Sequence, residues 1–443
     1  MFWYAGRGIS MKFSSLDLAP QLQDAIEACG YSEMTAVQEK AIVPARRGRD
    51  LLATAQTGTG KTAAFALPIL QQMLDKPKAA QAGNPRALIL TPTRELAEQL
   101  ANTIAAYAQF TSLSITAFYG GMKMGGQAAK VKAGVDILIS TPGRLLEHMT
   151  LNNVHLANVE FVVLDEADRM LDMGFIADVQ HMLQHINKKH QTLLFSATIS
   201  PSVNELAHKI LTNHQEIRGT RLNSTADTVE HVMYPVGEAQ KIELFKTLLA
   251  EKNWYQVLVF TSTKEQADTL MAALKVSKIE AGVCHADKSQ GARRRALADF
   301  KSAKLQVLIA TEVAARGLDI QGLDHVVNFN LPYLPEDYVH RIGRTGRAGK
   351  PGQAISFVSR EEERTVERIE RLIGSKIERI FKPGFEVSNR ESLLKTVSRH
   401  SRPSRTNKST ETQIVFHKNS AGKGSKGSKP SSTGKRTPVK SKK

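Results

Sequence analysis

Short apolar runs recur along the chain, each followed by a polar loop and then a stretch with helical periodicity. That rhythm predicts strands alternating with helices over a parallel sheet, an α/β fold in which the strands are buried on both faces. In the first half the runs are DLLAT (50–54), RALILT (86–91), SITAFY (114–119), VDILIS (135–140), EFVVLD (160–165) and TLLFSA (192–197). In the second they are QVLVFT (256–261), IEAGVC (279–284), LQVLIAT (305–311), DHVVNFN (324–330) and QAISFVS (353–359). Between the two sets, residues 218–230 (RGTRLNSTADTVE) are polar and Thr-rich and read as a linker. A second polar break lies at about 385–390. The organisation expected is therefore an extension over 1–10, a first domain over 11–217, a linker over 218–230, a second domain over 231–385 and a tail over 386–443.

The length of 443 residues agrees with more than one core, since single cores stop growing well below it. With 41% hydrophobic and 23% charged residues, the composition is that of a globular protein rather than a disordered or membrane one. No run approaches the roughly eighteen apolar residues of a spanning helix. The opening MFWYAGRGIS has neither the charged front nor the apolar stretch of a signal peptide, and is read as a longer start upstream of Met11. Cys29 and Cys284 are the only cysteines and show no metal-ligand or disulfide pattern, which fits a reducing cytoplasm. Charge changes the picture more. Residues 391–443 hold 14 Lys and Arg against 2 Glu, so +12 of the net +17 belongs to the tail. Its Ser, Gly, Thr and Lys content predicts disorder, and its charge suits a polyanion.

In open parallel sheets ligands bind beyond the carboxyl ends of the strands. Directly after DLLAT come Ala55, Gln56, Thr57, Gly58, Thr59, Gly60, Lys61 and Thr62, and then an apolar helical stretch. This is a phosphate-binding loop with Ala in place of the usual first Gly. Its glycines let backbone N–H groups turn toward phosphate oxygens at a helix N-terminus. Lys61 would reach the β- and γ-phosphates of ATP, and Thr62 would offer a hydroxyl to Mg²⁺. After the run FVVL, the tetrad from Asp165 through Glu166 to Asp168 sits at the same sheet edge. Taken alone, such a tetrad is usually a solvated loop. Paired with Lys61 it reads as a site in which Asp165 holds the metal and Glu166 orients and activates water.

The tetrad spells DEAD, and further motifs follow in order from about Phe13 to Phe381, so the chain resembles the DEAD-box ATP-dependent RNA helicases. The wording DKSQGAR (287–293) is most similar to the bacterial RhlE-like branch. The resemblance implies two tandem RecA-like domains with parallel sheets, of the P-loop NTPase class and helicase superfamily 2, with ATP and Mg²⁺ as cofactors and RNA as partner. It implies that Gln38 in GYSEMTAVQ bonds the adenine edge and that Phe13 packs near the base; the usual Pro of that motif is Met34 here. Ser196 and Thr198 resemble the motif that ties Asp168 to RNA-dependent closure, with His340 bridging between domains. Arg344 and Arg347 of HRIGRTGR would act on the γ-phosphate from the second domain, and Asp319 would hold the ribose.

The RNA-facing set implied is PTRELAEQ (92–99), with Pro92, Thr93 and Arg94 at its head, Gly120, Gly121, Thr141 and Arg144 in the first domain, and Gln290, Arg293 and the turn from Thr311 to Gly317 in the second. Small residues and helix starts there suit contacts to sugar and phosphate, hence binding without sequence preference. Two departures concern fine tuning: Glu312 stands where the family commonly has Asp, and Ala286 where Gly is usual. The function expected is RNA-stimulated ATP hydrolysis coupled to local unwinding of short duplexes or remodelling of ribonucleoprotein, in ribosome assembly or RNA turnover. Ribosomal precursor particles or RNA-decay proteins are the partners expected, with no membrane role. Two rival readings are an RNA-annealing chaperone that works through its basic arm and a translocating DNA helicase on the same scaffold.

Overall fold

Strands occur where continuous apolar runs meet β-branched residues, and the computed structural model describes residues 11–55, 58–219, 229–315, 320, 322–346 and 352–385. Gln56, Thr57, Gly317, Asp319 and Arg347, the interior of the expected linker, residues 1–10 and the tail lie outside the described residues. In the first half the strands are β1 (Leu51–Thr54), β2 (Ala87–Leu90), β3 (Ile115–Phe118), β4 (Ile137–Ser140), β5 (Phe161–Leu164), β6 (Gln191–Ser196) and β7 (Gln215–Arg218). In the second they are β8 (Val229–Pro235), β9 (Val257–Thr261), β10 (Ala281–Cys284), β11 (Val307–Thr311), β12 (His325–Asn328), β13 (Gly352–Val358) and β14 (Glu378–Arg379). Each half forms one seven-stranded sheet, ordered β3-β4-β2-β5-β6-β1-β7 and β10-β11-β9-β12-β13-β8-β14. All of the pairings are parallel. Counted from its own first strand, each sheet has the same order, so the halves repeat one topology.

Every expected run overlaps a strand. The strands missed are the polar β7 and β14 and the apolar β8, whose start falls in the expected linker. In β7 only Ile217 is buried, and such an edge strand needs no apolar face. β8 begins at Val229, inside the stretch expected to be linker, and Arg218 ends β7 at the other side of it.

Helices cover both faces of the first sheet: α1 (Pro20–Ala28), α2 (Ala36–Arg46), α3 (Lys61–Asp75), α4 (Arg94–Tyr107), α5 (Met124–Lys132), α6 (Pro142–Thr150), α7 (Ala167–Asp172), α8 (Ile176–Leu183) and α9 (Pro201–Ile210). The second sheet has α10 (Lys241–Lys252), α11 (Lys264–Val276), α12 (Gln290–Lys301), α13 (Glu312–Ala315), α14 (Pro335–Ile342) and α15 (Glu363–Ile373). Side-chain oxygens cap several helix starts. Thr93 accepts from Leu96 N in α4, Ser289 from Ala292 N in α12, and Thr35 with Gln38 forms a capping box at α2. Since strands are buried on both faces, each sheet carries core on two sides: Phe65 packs edge-on against Phe195 in the first half, and Phe357 meets Tyr234, Phe245 and Phe329 in the second. Rigid sheets of this kind hold the loops at their carboxyl edges in place.

Candidate nucleotide site and cross-domain junctions

β1 ends at Thr54, and Ala55 N donates to Ser196 O at 2.9 Å, which fixes the start of the phosphate loop beside β6. Gly58 and Gly60 have φ of +82° and +88°, a region that side-chain-bearing residues avoid. A Cβ on Gly60 would also collide with the amide of Gln38. Gln38 is buried and bridges two elements: its Oε1 accepts from Thr35 N at 2.8 Å and its Nε2 donates to Gly60 O at 3.0 Å. Phe13 is likewise buried, stacked 6.1 Å from the more exposed Tyr31.

Lys61 opens the 15-residue α3, and its Nζ lies 3.2 Å from Asp165 Oδ1, both side chains being almost fully buried. Among the described residues the ammonium is paired with Asp165, and with three donors it keeps capacity for an anion. Burial opposes its charge, but Asp165, Glu166 and Asp168 outweigh burial and hold it above the ordinary lysine value. Burial lifts the Asp165 carboxyl, while Lys61 pulls it back. Glu166 follows with φ of 56° and ψ of 52°, a left-handed conformation unusual for Glu that turns the chain sharply between β5 and α7.

The next turn is bound to β6. Asp168 N donates to Ser196 Oγ at 3.3 Å, and Asp168 Oδ2 accepts from Thr198 N at 2.8 Å and Thr198 Oγ1 at 3.0 Å. Burial would raise the Asp168 carboxyl, yet His340, Lys61 and the Thr198 bonds hold it below its usual range. From the same helix, Arg169 Nη2 reaches Asp337 Oδ1 at 3.2 Å and donates to His340 Nδ1 at 3.3 Å, both in α14 of the second half. That donation leaves the His340 proton on Nε2 when the ring is neutral. Burial pushes His340 below its ordinary value, with Arg169 adding to that and Asp168, Glu166 and Asp337 opposing it. Glu166, Arg169, Phe260, His340, Arg341 and Arg344 line one small cavity at this junction. Arg341 is spent inside its own half, donating to Glu312 Oε2 at 2.5 Å and Asn330 O at 2.7 Å.

A second junction joins α4 to α12. Glu95 Oε1 accepts from Gln290 Nε2 at 3.1 Å and pairs with Arg293 Nη2 at 2.8 Å. Arg294 Nε donates to Glu98 Oε2 at 2.9 Å, and its Nη2 donates to the Tyr119 hydroxyl at 2.6 Å. Beside it the Gly120–Gly121 turn lies under Arg94, whose guanidinium a Cβ on Gly121 would meet at 2.8 Å. Arg144 is largely buried, donating to Tyr119 O at 3.2 Å and Met122 O at 2.7 Å.

Residues 35–206 match the DEAD/DEAH box helicase family, and residues 240–349 match the helicase conserved C-terminal domain. The ATP-dependent RNA helicase RhlB of Pseudomonas syringae pv. tomato is 42% identical over 83% of this chain and 94% of the relative. The chain belongs to the DEAD-box ATP-dependent RNA helicases. The DEAD-box ATP-dependent RNA helicase CshA of Bacillus subtilis is 37% identical over 88% of this chain and 78% of the relative. Among solved structures, S. cerevisiae Dbp5 bound to RNA and ADP BeF3 is 30% identical and superposes with a TM-score of 0.75, over 88% of this chain and 99% of that one.

In this helicase, then, Lys61, Asp165, Glu166 and Asp168 meet at one sheet edge, and Arg344 and His340 reach it from the second half. Thr62 stands in the first turn of α3, Thr141 precedes α6, and Thr311 ends β11. Gln290 and Arg293 face the carboxylate of Glu95. Sequence reasoning gave no role to Tyr119, Arg169, Arg294 or Asp337, and took Glu95 and Glu98 only as part of the RNA-facing motif PTRELAEQ (92–99). Each acts through a partner from the other half, roughly 170 to 200 residues away for most of the pairs, and pattern along a chain carries no signal of that. Among the described residues, no helix is long and apolar enough to cross a membrane.

Proposed function

We propose that the two halves, residues 11–217 and 231–385, close on ATP and one RNA strand, and that hydrolysis occurs only in the closed arrangement. The observation that carries this is the junction cavity, where Glu166 of the first half and Arg344 of the second face the same space. Backbone N–H groups of residues 55–60 cradle the phosphates, and Lys61 pairs with the β- and γ-oxygens. Glu166 orients the attacking water and accepts its proton, and Arg344, with Arg347 beside it in the motif, offsets charge that develops on the transferred phosphoryl group. Asp319 takes the ribose. Gln38 recognises adenine while holding Gly60, and Phe13 supports that side of the site.

Among the described residues, no three or more His, Cys, Asp or Glu side chains cluster as a metal cage. A buried carboxylate and a hydroxyl, Asp165 and Thr62, fit the sparser set with which Mg²⁺ is held when phosphates and water complete its shell. Bound there, the ion would supply charge neutralisation of the phosphates.

RNA is held along sugar and phosphate by Pro92 to Arg94, the Gly120–Gly121 turn, Thr141 and Arg144, with Gln290, Arg293 and Thr311 of the second half, and Gly317 is assigned to the same task from its motif. Asp168, Ser196, Thr198 and His340 tie closure to the nucleotide. S. cerevisiae Dbp5, similar to this chain, was solved bound to RNA and ADP BeF3, which supports this reading. Local unwinding of short duplexes or remodelling of ribonucleoprotein follows, in the cytoplasm, in ribosome assembly or RNA turnover, with precursor ribosomal particles or RNA-decay proteins as partners. The wording DKSQGAR favours an RhlE-like placement within the family, and the basic tail adds an electrostatic arm for RNA. The test is strand separation of a short RNA duplex by the full chain. Separation should require ATP, and RNA should stimulate hydrolysis more than DNA of the same sequence; annealing that proceeds unchanged without nucleotide, with no ATP-dependent separation, would favour the chaperone reading instead.

A further inference from the structure

Tyr119 stands between the second half and the turn at Gly120–Gly121. Its hydroxyl accepts from Arg294 Nη2 of α12 at 2.6 Å, across the junction between the halves. The same guanidinium holds Glu98 of α4, Nε to Oε2 at 2.9 Å and Nη2 to Oε1 at 2.6 Å, a two-point grip that fixes its plane. The Tyr119 carbonyl accepts from Arg144 Nε at 3.2 Å and from Gln127 Nε2 at 3.1 Å. Arg144 Nη2 also donates to Met122 O at 2.7 Å, so one side chain holds the backbone on both sides of the glycines. Gln127 is itself held: its Oε1 lies 3.1 Å from His148 Nε2, and the His148 ring stacks on Phe118 at 4.3 Å. Gly121 has φ of +84° and lies against Arg94, so the turn has little room to adopt another shape.

The chain of contacts therefore runs without a gap from α12, through a phenol, into the backbone of the turn. We propose that Tyr119 is a positioning residue: on closure Arg294 grips its hydroxyl, with Glu98 orienting the guanidinium, and this sets the Gly120–Gly121 turn for phosphate contact. The inference rests on the reading that this turn and Arg144 face RNA. Neither Tyr119 nor Arg294 touches the nucleotide edge, so the device acts on RNA affinity and leaves phosphoryl chemistry alone. A cleft of about 360 Å³ between α4 and α12, lined among others by Glu98, Asn102, Arg294 and Lys301, keeps the grip partly wetted. Salt therefore weakens it.

The test compares full-length Tyr119→Phe, Arg294→Ala and the double variant with the unaltered helicase, reading ATP hydrolysis against RNA concentration. Tyr119→Phe keeps the buried ring and removes only the hydroxyl. The RNA concentration for half-stimulation should rise roughly threefold to tenfold, as for loss of one ordinary hydrogen bond, since the grip is partly wetted. Turnover at saturating RNA, RNA-free hydrolysis and ATP affinity should stay within about twofold, and the double variant should be no worse than the weaker single one. Unchanged half-stimulation in Tyr119→Phe, or single effects that multiply in the double, overturns the proposal. Arg144→Ala separates the two layers: if it raises half-stimulation while Tyr119→Phe does not, the positioning role alone fails, and if neither variant does, the RNA-facing reading of the turn fails with it.

Discussion

The two halves share a strand order and part company at the lysine that opens the helix after the first strand. In the first half Lys61 opens the helix after β1, buried and, among the described residues, paired with Asp165 alone. In the second half Lys241 opens the helix that follows β8, also buried, but its ammonium is closed between Glu238 at 2.7 Å and Glu362 at 3.0 Å. Before Lys61 stands a glycine-rich loop; before Lys241 stands the short helical turn Glu238–Gln240. The strand pair β5 and β12 repeats the contrast. Asp165 and Glu166 follow β5, whereas Phe329 and Asn330 follow β12, and Asn330 Oδ1 accepts from Ser262 N at 3.2 Å to brace a loop. One scaffold thus carries a reactive edge and a satisfied one, and chemistry resides in which polar groups are left with capacity. What the second half lends instead comes from α14 and the residues just beyond it. That helix follows β12 as α7 follows β5, and the two equivalent helices meet through Arg169, Asp337 and His340.

The sharpest way to break this division is to remove what the second half lends. Arg344→Ala should lower RNA-stimulated turnover by about a thousandfold or more while nucleotide affinity changes little, because the guanidinium acts only across the closed junction. Turnover near that of the unaltered chain would place Arg344 outside the chemistry.

The two lysines allow a paired comparison. Lys61→Met should reduce hydrolysis by about a hundredfold or more through lost phosphate contact. Lys241→Met should leave nucleotide affinity and turnover near normal and lower stability by about 3 kcal/mol, the low end for breaking a buried pair because Glu238 stays half-exposed. Thermal unfolding and steady-state hydrolysis measured together read both effects. Loss of hydrolysis in a stably folded Lys241 variant would mean that the second edge is not spent.

A smaller effect concerns His340. Closure buries a neutral imidazole whose pKa is depressed below the ordinary 6.5. The parted halves bind a proton there more tightly than the closed ones, so closure is fully favoured above about pH 6.5 and weakens as the pH falls below it. Asp168, held below its usual range, stays ionised over that window. Half-stimulation by RNA should rise a fewfold between pH 7.5 and about pH 6, and His340→Asn should flatten the profile. A profile of unchanged shape in that variant would remove the imidazole from the pH response.

Much of this was legible along the chain, for identifiable reasons. A buried parallel strand must be apolar throughout, so β1 to β6 and β9 to β13 announce themselves, and the phosphate loop is a local device whose glycines and lysine are adjacent in sequence. Polar edge strands such as β7 carry no such requirement. Gln38 illustrates a finer limit. Its spacing to the loop was visible, but its grip on Gly60 O, which makes it a support of the loop as well as a candidate for the base, depends on α2 packing beside α3. The junction pairs Glu95 with Arg293 and Arg294 with Tyr119 join residues from separate repeats of the fold.

The central claim is that Glu166 and Arg344, one from each half, work on the same phosphoryl transfer in one closed site. Single-turnover hydrolysis at saturating RNA, measured for Glu166→Gln, Arg344→Ala and the double variant, tests it most directly. Groups that serve one step are strongly non-additive, so the double variant should be little slower than the slower single one. Rate losses that multiply would show that the two residues act on separate steps and that the halves do not share a single catalytic site.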